Sequence, residues 1–171
     1  DAAELINGAD KPFALIGQGV ELGGAQNELL EFLEKADIPA ARTLLGLSAL
    51  PTGHPLDMGM LGMHGNYAPN IKTQECDVLI AIGMRFSDRV TGLPSNYAKQ
   101  AKVIHLDIDK SEIDKNIKTD VAVVGDCKMS LPAITRLLKK NNHREWHDSF
   151  QKYYDMENEK VIQPAIHPTE G

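Results

Sequence analysis

From Asp77 to Ile82 the chain reads DVLIAI, and no polar side chain follows Asp77 until the run is over. A strand without a polar face has both faces covered, the condition of a parallel strand packed between helices. Gly83 closes the run, and in open α/β sheets ligands gather just past the carboxyl ends of the strands. Arg85 and Arg89 follow, permanent positive charges whose planar forks match phosphate geometry. The stretch from Gly59 to Gly92, GMLGMHGNYAPNIKTQECDVLIAIGMRFSDRVTG, is therefore expected to hold an anionic, phosphate-bearing ligand.

The remaining segments fit a sheet of such strands. Phe13 to Ile16 predicts a first strand ending in Gly17-Gln18-Gly19. A helix follows, with Leu29, Leu30, Leu33 and Ala36 at helical spacing. Asp37 and Pro39 end it before a short strand near Ile38 to Ala41. Arg42 to Met63 is a long irregular stretch, of a length that marks function or contact with another domain, and it has room for a further strand. A short helix over Ala68 to Thr73 precedes DVLIAI. Lys102 to Leu106 (KVIHL) and Asp120 to Val124 (DVAVV) predict two more strands, with a helix opening near Lys110 between them. Lys128 to Lys140 reads as a helix presenting Leu131, Ile134, Leu137 and Leu138. Arg144 to Tyr154 reads as an amphipathic helix docked on the sheet through Trp146, Phe150 and Tyr153, and the polar chain from Asp155 onward as a linker. The expected architecture is an α/β, doubly wound parallel sheet of five to six strands with helices on both faces, Rossmann-like, joined by right-handed crossovers.

At 171 residues the chain has room for one such domain. The start at Asp1 and the loop-like end PAIHPTEG suggest a piece of something larger. A net charge of -6 argues against sequence-independent nucleic-acid binding, which depends on Lys and Arg neutralising phosphates. No run approaches the roughly 20 apolar residues of a membrane span, and no signal peptide is evident. The two cysteines, Cys76 and Cys127, read as free buried thiols, which fits a reducing, cytoplasmic setting.

Several strand ends carry ligand chemistry. Gly17-Gln18-Gly19 lets backbone approach a phosphate or a ribityl chain closely, or simply makes a turn. As a nicotinamide fingerprint it is incomplete: Leu22 stands where a third glycine belongs, and Arg42-Thr43 occupies the place of the acidic residue after the second strand. Asp107, at the end of HLDID, is placed to accept hydrogen bonds from ribose or adenine, whereas Asp109 reads as a helix cap. Gly125-Asp126 repeats the arrangement one strand on. His64, between glycines in GMHG, suits ligand stacking or a backbone contact better than general-base work, having no orienting partner. The histidines show no metal spacing, and no Ser-His-Asp or Cys-His arrangement can be made out, so no catalytic and no metal-binding residue is expected. On these residues alone, an NAD(P)-dependent oxidoreductase and an ADP-type nucleotide-binding module stay open beside a flavin-binding domain.

GMLGMHG at 59–65, CDVLIAIGMRFSDRVTG at 76–92, and AKVIHLDIDKSEIDKN with VAVVGD between 101 and 126 give the chain a close resemblance to the central domain of the acetolactate (acetohydroxyacid) synthases, a family of thiamine-diphosphate enzymes. The resemblance covers about Lys11 to Leu138. It implies a central domain over 1–140 that binds FAD in extended form without net redox work, and a helix and linker over 141–171 leading toward a diphosphate-binding domain. The FAD contacts it implies are Gly17, Gln18, Gly19, Thr43, Leu44, Leu61, Gly62, Met63, His64, Gly83, Arg85, Arg89, Asp107, Ile108, Gly125 and Asp126. Two positions depart from the family's usual GARFDDR: Met84 replaces Ala, adding bulk beside the expected flavin path, and Ser87 replaces the first Asp. The parent enzyme implied joins two 2-keto acids (pyruvate with pyruvate or 2-ketobutyrate) with loss of CO2, in branched-chain amino-acid synthesis. It would use thiamine diphosphate and Mg2+ held by flanking N- and C-terminal domains, as a homodimer or homotetramer with a regulatory small subunit. The activating glutamate and the GDG-Asn motif of those domains are not found here, so the chain alone is expected to be inactive.

Overall fold

The computed structural model describes residues 1–166. Its frame is a six-stranded, all-parallel sheet in the order β3-β2-β1-β4-β5-β6, built from β1 (Pro12–Ile16), β2 (Ala40–Arg42), β3 (Asp57–Met60), β4 (Val78–Ile82), β5 (Lys102–Asp107) and β6 (Val121–Val124). The order places the two wholly buried strands, PFALI and VLIAI, side by side at the centre, in register from Pro12 opposite Val78 to Ile16 opposite Ile82. The sixth strand lies inside the irregular stretch after Arg42, as β3. It is held to β2 by an ion pair from Arg42 to Asp57 at 2.7 Å.

Side chains alternate between two cores, as the pleat requires. Ala14, Ile16, Ile80, Ile82, Ile104 and Leu106 face one layer, covered by α1 (Ala2–Asn7), α3 (Gln26–Ala36) and α6 (Cys127–Thr135). Between β1 and α3 lies the short helix α2 (Gln18–Leu22). The stripe on α3 is Leu29, Phe32, Leu33 and Ala36, and the helix stops at Asp37, which takes a left-handed conformation (φ 52°) and donates its N–H to the Leu33 carbonyl. The opposite faces, Phe13, Leu15, Leu79, Ala81 and Val103, meet α4 (Tyr67–Lys72) and α7 (Arg144–Glu157).

Three local expectations change. No helix forms between β5 and β6: the chain makes one 3-10 turn, Lys110–Glu112, capped by Asp109, and Asp114 then takes φ 59°. SEIDKNIK offers only Ile113 and Ile117 as apolar anchors, too few for a helical stripe. The helix after β6 ends at Thr135 rather than Lys140. The segment read as a linker from Asp155 is helical as far as Ile166, through a wide π turn over Asn158–Ile162 and α8 (Gln163–Ile166). The end of PAIHPTEG, 167–171, lies outside the described residues. Among the described residues no helix is long and apolar enough to cross a membrane.

α7 docks as its aromatic face predicts. The Phe150 ring packs edge-on against Phe13 and Trp146 at 5.4 and 5.2 Å, and the Trp146 indole donates to the Pro12 carbonyl at 2.9 Å. Beneath these rings lies Lys72, 2% exposed, its ammonium bonded to Glu75 and Ser149 and 4.6 Å from the Trp146 ring centre. His143 and His147, the i,i+4 pair, instead face the Asp37 carbonyl at 3.0 and 3.2 Å and join the start of α7 to the end of α3. Phe150→Ala should destabilise the chain by about 3–5 kcal/mol, the cost of emptying an aromatic site in a packed core, read as a lower urea midpoint at unchanged slope.

Candidate functional site

β1 and β4 are neighbours, yet the chain leaves them in opposite directions across the sheet, so their carboxyl ends border an opening. Backbone meets backbone there. The Gly19 N–H donates to the Gly83 carbonyl at 2.8 Å, the Gly17 N–H to Ile82 at 2.9 Å, and the Gly83 N–H to Leu106 at 2.8 Å. A Cβ on Gly19 would sit 2.7 Å from the Gly83 Cα, and one on Gly17 would overlap the Gly83 carbonyl and Met84 Cβ. Gly83 also holds φ 58°. The glycines thus close the floor of the opening, and their N–H groups are committed to it.

Above this floor is a cleft of about 600 Å³, within the range of small-molecule sites. Eleven of the residues expected at a ligand line it: Gly17, Gln18, Gly19, Thr43, Leu44, Gly83, Arg85, Arg89, Asp107, Ile108 and Asp126. On the β2 side the chain turns from Arg42 into a 3-10 segment, Leu44–Ala49, that presents Leu44 and Leu45 largely exposed. At the centre, Arg85 precedes α5 (Asp88–Thr91) and Arg89 lies within it; both are exposed, and neither forms an ion pair among the described residues. On the far side, Asp107 uses Oδ1 to accept the Asp109 N–H at 2.9 Å, and Asp126 uses Oδ1 to cap α6 through the Lys128 N–H at 2.8 Å. Each keeps a second oxygen clear of these backbone bonds. Across the cleft runs a gradient from apolar through cationic to anionic.

The other five expected residues stand apart from this cleft. Leu61 is 3% exposed and belongs to the core. Gly62, at φ 103°, is gripped by Asn70, which accepts its N–H and donates to its carbonyl at 2.8 and 2.9 Å. Met63 and His64 are exposed, and the Met63 N–H is tied to the Arg89 carbonyl at 2.8 Å, which brings this loop beside the arginines. Gly125 bonds back to the Asp107 carbonyl at 3.0 Å and supports β6 from outside the cleft wall.

Leu22, Gly23, Leu45, Met84, Ser87, Val90 and Cys127 also line the cleft and were not anticipated there as ligand contacts. Leu22 and Cys127 reach in from helices, where a strand-end rule gives no signal; Cys127 carried one only as the neighbour of Asp126. Met84, expected to crowd the flavin path, is 4% exposed and directed among Phe13, Leu15 and Phe86, so its bulk goes into the core. No carboxylate stands at the end of β2, where a nicotinamide nucleotide would need one, and Arg42 is paired with Asp57. Among the described residues no cluster of His, Cys, Asp and Glu could hold a metal ion.

Fold and cleft together define a Rossmann-like α/β domain with a cleft at the switch point of its sheet. Residues 1–134 match the family model for the central domain of thiamine pyrophosphate enzymes, and the chain belongs to that family. It is similar to a probable acetolactate synthase large subunit of Methanocaldococcus jannaschii, 52% identical over 127 residues that make up 74% of this chain and 22% of that protein. The acetolactate synthase isozyme 2 large subunit of Escherichia coli is 40% identical over 96% of this chain and 31% of its own length, and the large subunit from Lactococcus lactis 42% identical over 80% and 24%. The chain spans between a fifth and a third of the length of these relatives.

Two outcomes follow from the geometry. Gly24 holds φ 61° in open space, whereas Gly83 holds φ 58° against the Gly19 backbone. Gly24→Ala should therefore cost only the conformational strain, about 1 kcal/mol, while Gly83→Ala should cost roughly 3 kcal/mol or more, compared by chemical denaturation. Burial, with help from Asp126 and Asp107, pushes the Cys127 thiol up to about 11. The folded state thus favours the protonated thiol, a stabilisation complete below the unfolded value of about 8.5 and lost as pH rises through the folded one. In a Cys76→Ala background, labelling of the folded chain by a disulfide reagent should stay slow at pH 8 and accelerate only well above it.

Proposed function

We propose that this chain is the central domain of an acetolactate synthase large subunit and that it binds FAD in extended form across the cleft. The reading rests on the polarity gradient around a single opening: an apolar wall, two unpaired guanidinium groups and two carboxylates with free oxygens, in the order a flavin dinucleotide presents its parts. Arg85 and Arg89 would meet the diphosphate, since charge-assisted forks bind its oxygens more strongly than neutral donors do. Asp107 and Asp126 would accept hydrogen bonds from the adenosine end. Leu44 and Leu45 would border the isoalloxazine, while Met63 and His64 stand outside the cleft beside the arginines. FAD bound here supplies architecture rather than electrons. The donor set fits it, and the committed N–H groups of Gly17 and Gly19 leave the anionic charge to the arginines.

In the parent protein, the condensation of two 2-keto acids with loss of CO2 would depend on thiamine diphosphate and Mg2+ held by other domains, with this domain joining them. The boundary proposed is 1–140 for the cofactor domain, with 141–171 as the helix and linker toward the next domain. By itself the chain would be inactive. A regulatory small subunit, a homodimeric or homotetrameric parent and a cytoplasmic location belong to the same proposal.

Fluorescence titration of the full-length parent with FAD tests the reading. Arg85→Ala should weaken binding by about 1.5–3 kcal/mol, roughly 10- to 150-fold. Asp107→Asn should weaken ADP more than FMN, because it touches only the adenosine half. Absence of saturable FAD binding by the wild type, or an FMN preference untouched by every cleft variant, would overturn it.

A further inference from the structure

β5 reads KVIHLD, and one polar residue, His105, interrupts its buried part. Its imidazole is 0% exposed, facing the same layer as Val103, with Ala81 beside it on β4 and Ala122 on β6 leaving room. Nε2 lies 2.9 Å from the Met84 carbonyl oxygen, which can only accept, so Nε2 carries the proton. Nδ1 is buried with no partner. An orphaned nitrogen makes histidine a poor choice for filling this space, where an apolar residue would pack without the loss. Core packing does not account for it; the bond to Met84 does.

The contacts converge on one loop. The His105 ring packs edge-on against Phe86 at 5.1 Å, and Asn116, from the β5–β6 connection, donates Nδ2 to the Phe86 carbonyl at 2.7 Å. Between them the Arg85 carbonyl accepts the Ser87 N–H at 2.9 Å. Three consecutive carbonyls, at 84, 85 and 86, are thereby fixed, and Arg85 is the middle one. The Asp107 carboxylate lies 3.8 Å from the same Nε2, so the imidazole sits under both the cationic and the anionic parts of the cleft.

We propose that His105 and Asn116 are positioning residues that hold the Arg85 loop in its binding conformation before any ligand arrives. Neither touches the ligand; each acts by fixing a carbonyl beside Arg85, which lowers the ordering cost of binding. The inference rests on the reading of Arg85 as the contact to an anionic cofactor, and its test separates the two.

In the full-length parent, His105→Leu keeps the volume but loses the donor, His105→Gln keeps an N–H donor, and Asn116→Ala removes the second fixed carbonyl. Without FAD, His105→Leu should speed hydrogen exchange at the amides of Ser87, Val90 and Thr91 while leaving those of β1 unchanged. FAD binding should weaken roughly 3- to 30-fold in His105→Leu and in Asn116→Ala, a span usual for groups coupled in one network. It should recover in His105→Gln, and His105→Leu should have no further effect when Arg85 is already alanine. Unchanged exchange in His105→Leu overturns the inference whatever the ligand is, and so does an equal loss with and without Arg85. A wild type that does not bind FAD overturns the cofactor reading and the binding half of this one, while the exchange result still decides whether the loop is held.

Discussion

The cleft depends on a contact between two stretches of backbone. β1 and β4 are buried on both faces and locked in register, and just past their ends the chains part in opposite directions. Gly17 and Gly19 come so close to Gly83 that no Cβ fits on either side, and hydrogen bonds from Gly17 and Gly19 to the end of β4 hold the approach. A loop whose N–H groups point outward could form an anion nest from backbone alone. Here the Gly17 and Gly19 donors are engaged with β4, so positive charge for a phosphate has to come from side chains. Arg85 and Arg89, in the lining of the same cleft, are the side chains placed to supply it.

Charge placement is as local as the geometry. The chain as a whole carries -6, yet the centre of the cleft presents two arginines without an acidic partner among the described residues. Asp88 lies between them in sequence, but its carboxylate accepts the Arg89 N–H at 2.9 Å and so turns back on its own helix. A second acidic residue at 87, beside Asp88, would bring another negative charge to the wall; Ser87 leaves the guanidinium groups less opposed. Unpaired exposed arginines cost little in water and become more strongly interacting as a ligand excludes it.

The central strands were legible because burial on both faces leaves an unbroken apolar run, and β1 and β4 fall where those runs are; β5 was legible although His105 interrupts its run. β3 was not, because DMGM has neither β-branched residues nor alternation; it forms because Arg42 and Asp57 pair across to β2. α1 was missed too, since six residues with Ala2, Ala3 and Ile6 as the buried set give too short a pattern. The helix expected after Asp109 stops after one turn because nothing apolar repeats along it. At the site, the rule that ligands gather at strand ends found the glycines, arginines and carboxylates. It could not find Leu22 or Cys127, which enter from helices; Leu61, named through the family resemblance alone, has its side chain in the core.

Met84 shows how site and core are joined. Met84 Cβ fills the space beside Gly17, and the Met84 side chain, 4% exposed, belongs to the layer with Phe13 and Phe86. Its carbonyl is held by His105, which packs on Phe86 in the same layer. Residue 84 thus belongs to both the cleft lining and the core over the back of the sheet. The floor of the cleft and the roof of that core are one layer of atoms. A change that loosens the packing around Phe86 also shifts the carbonyls on either side of Arg85, so the geometry of this part of the cleft is inherited from the core beneath it.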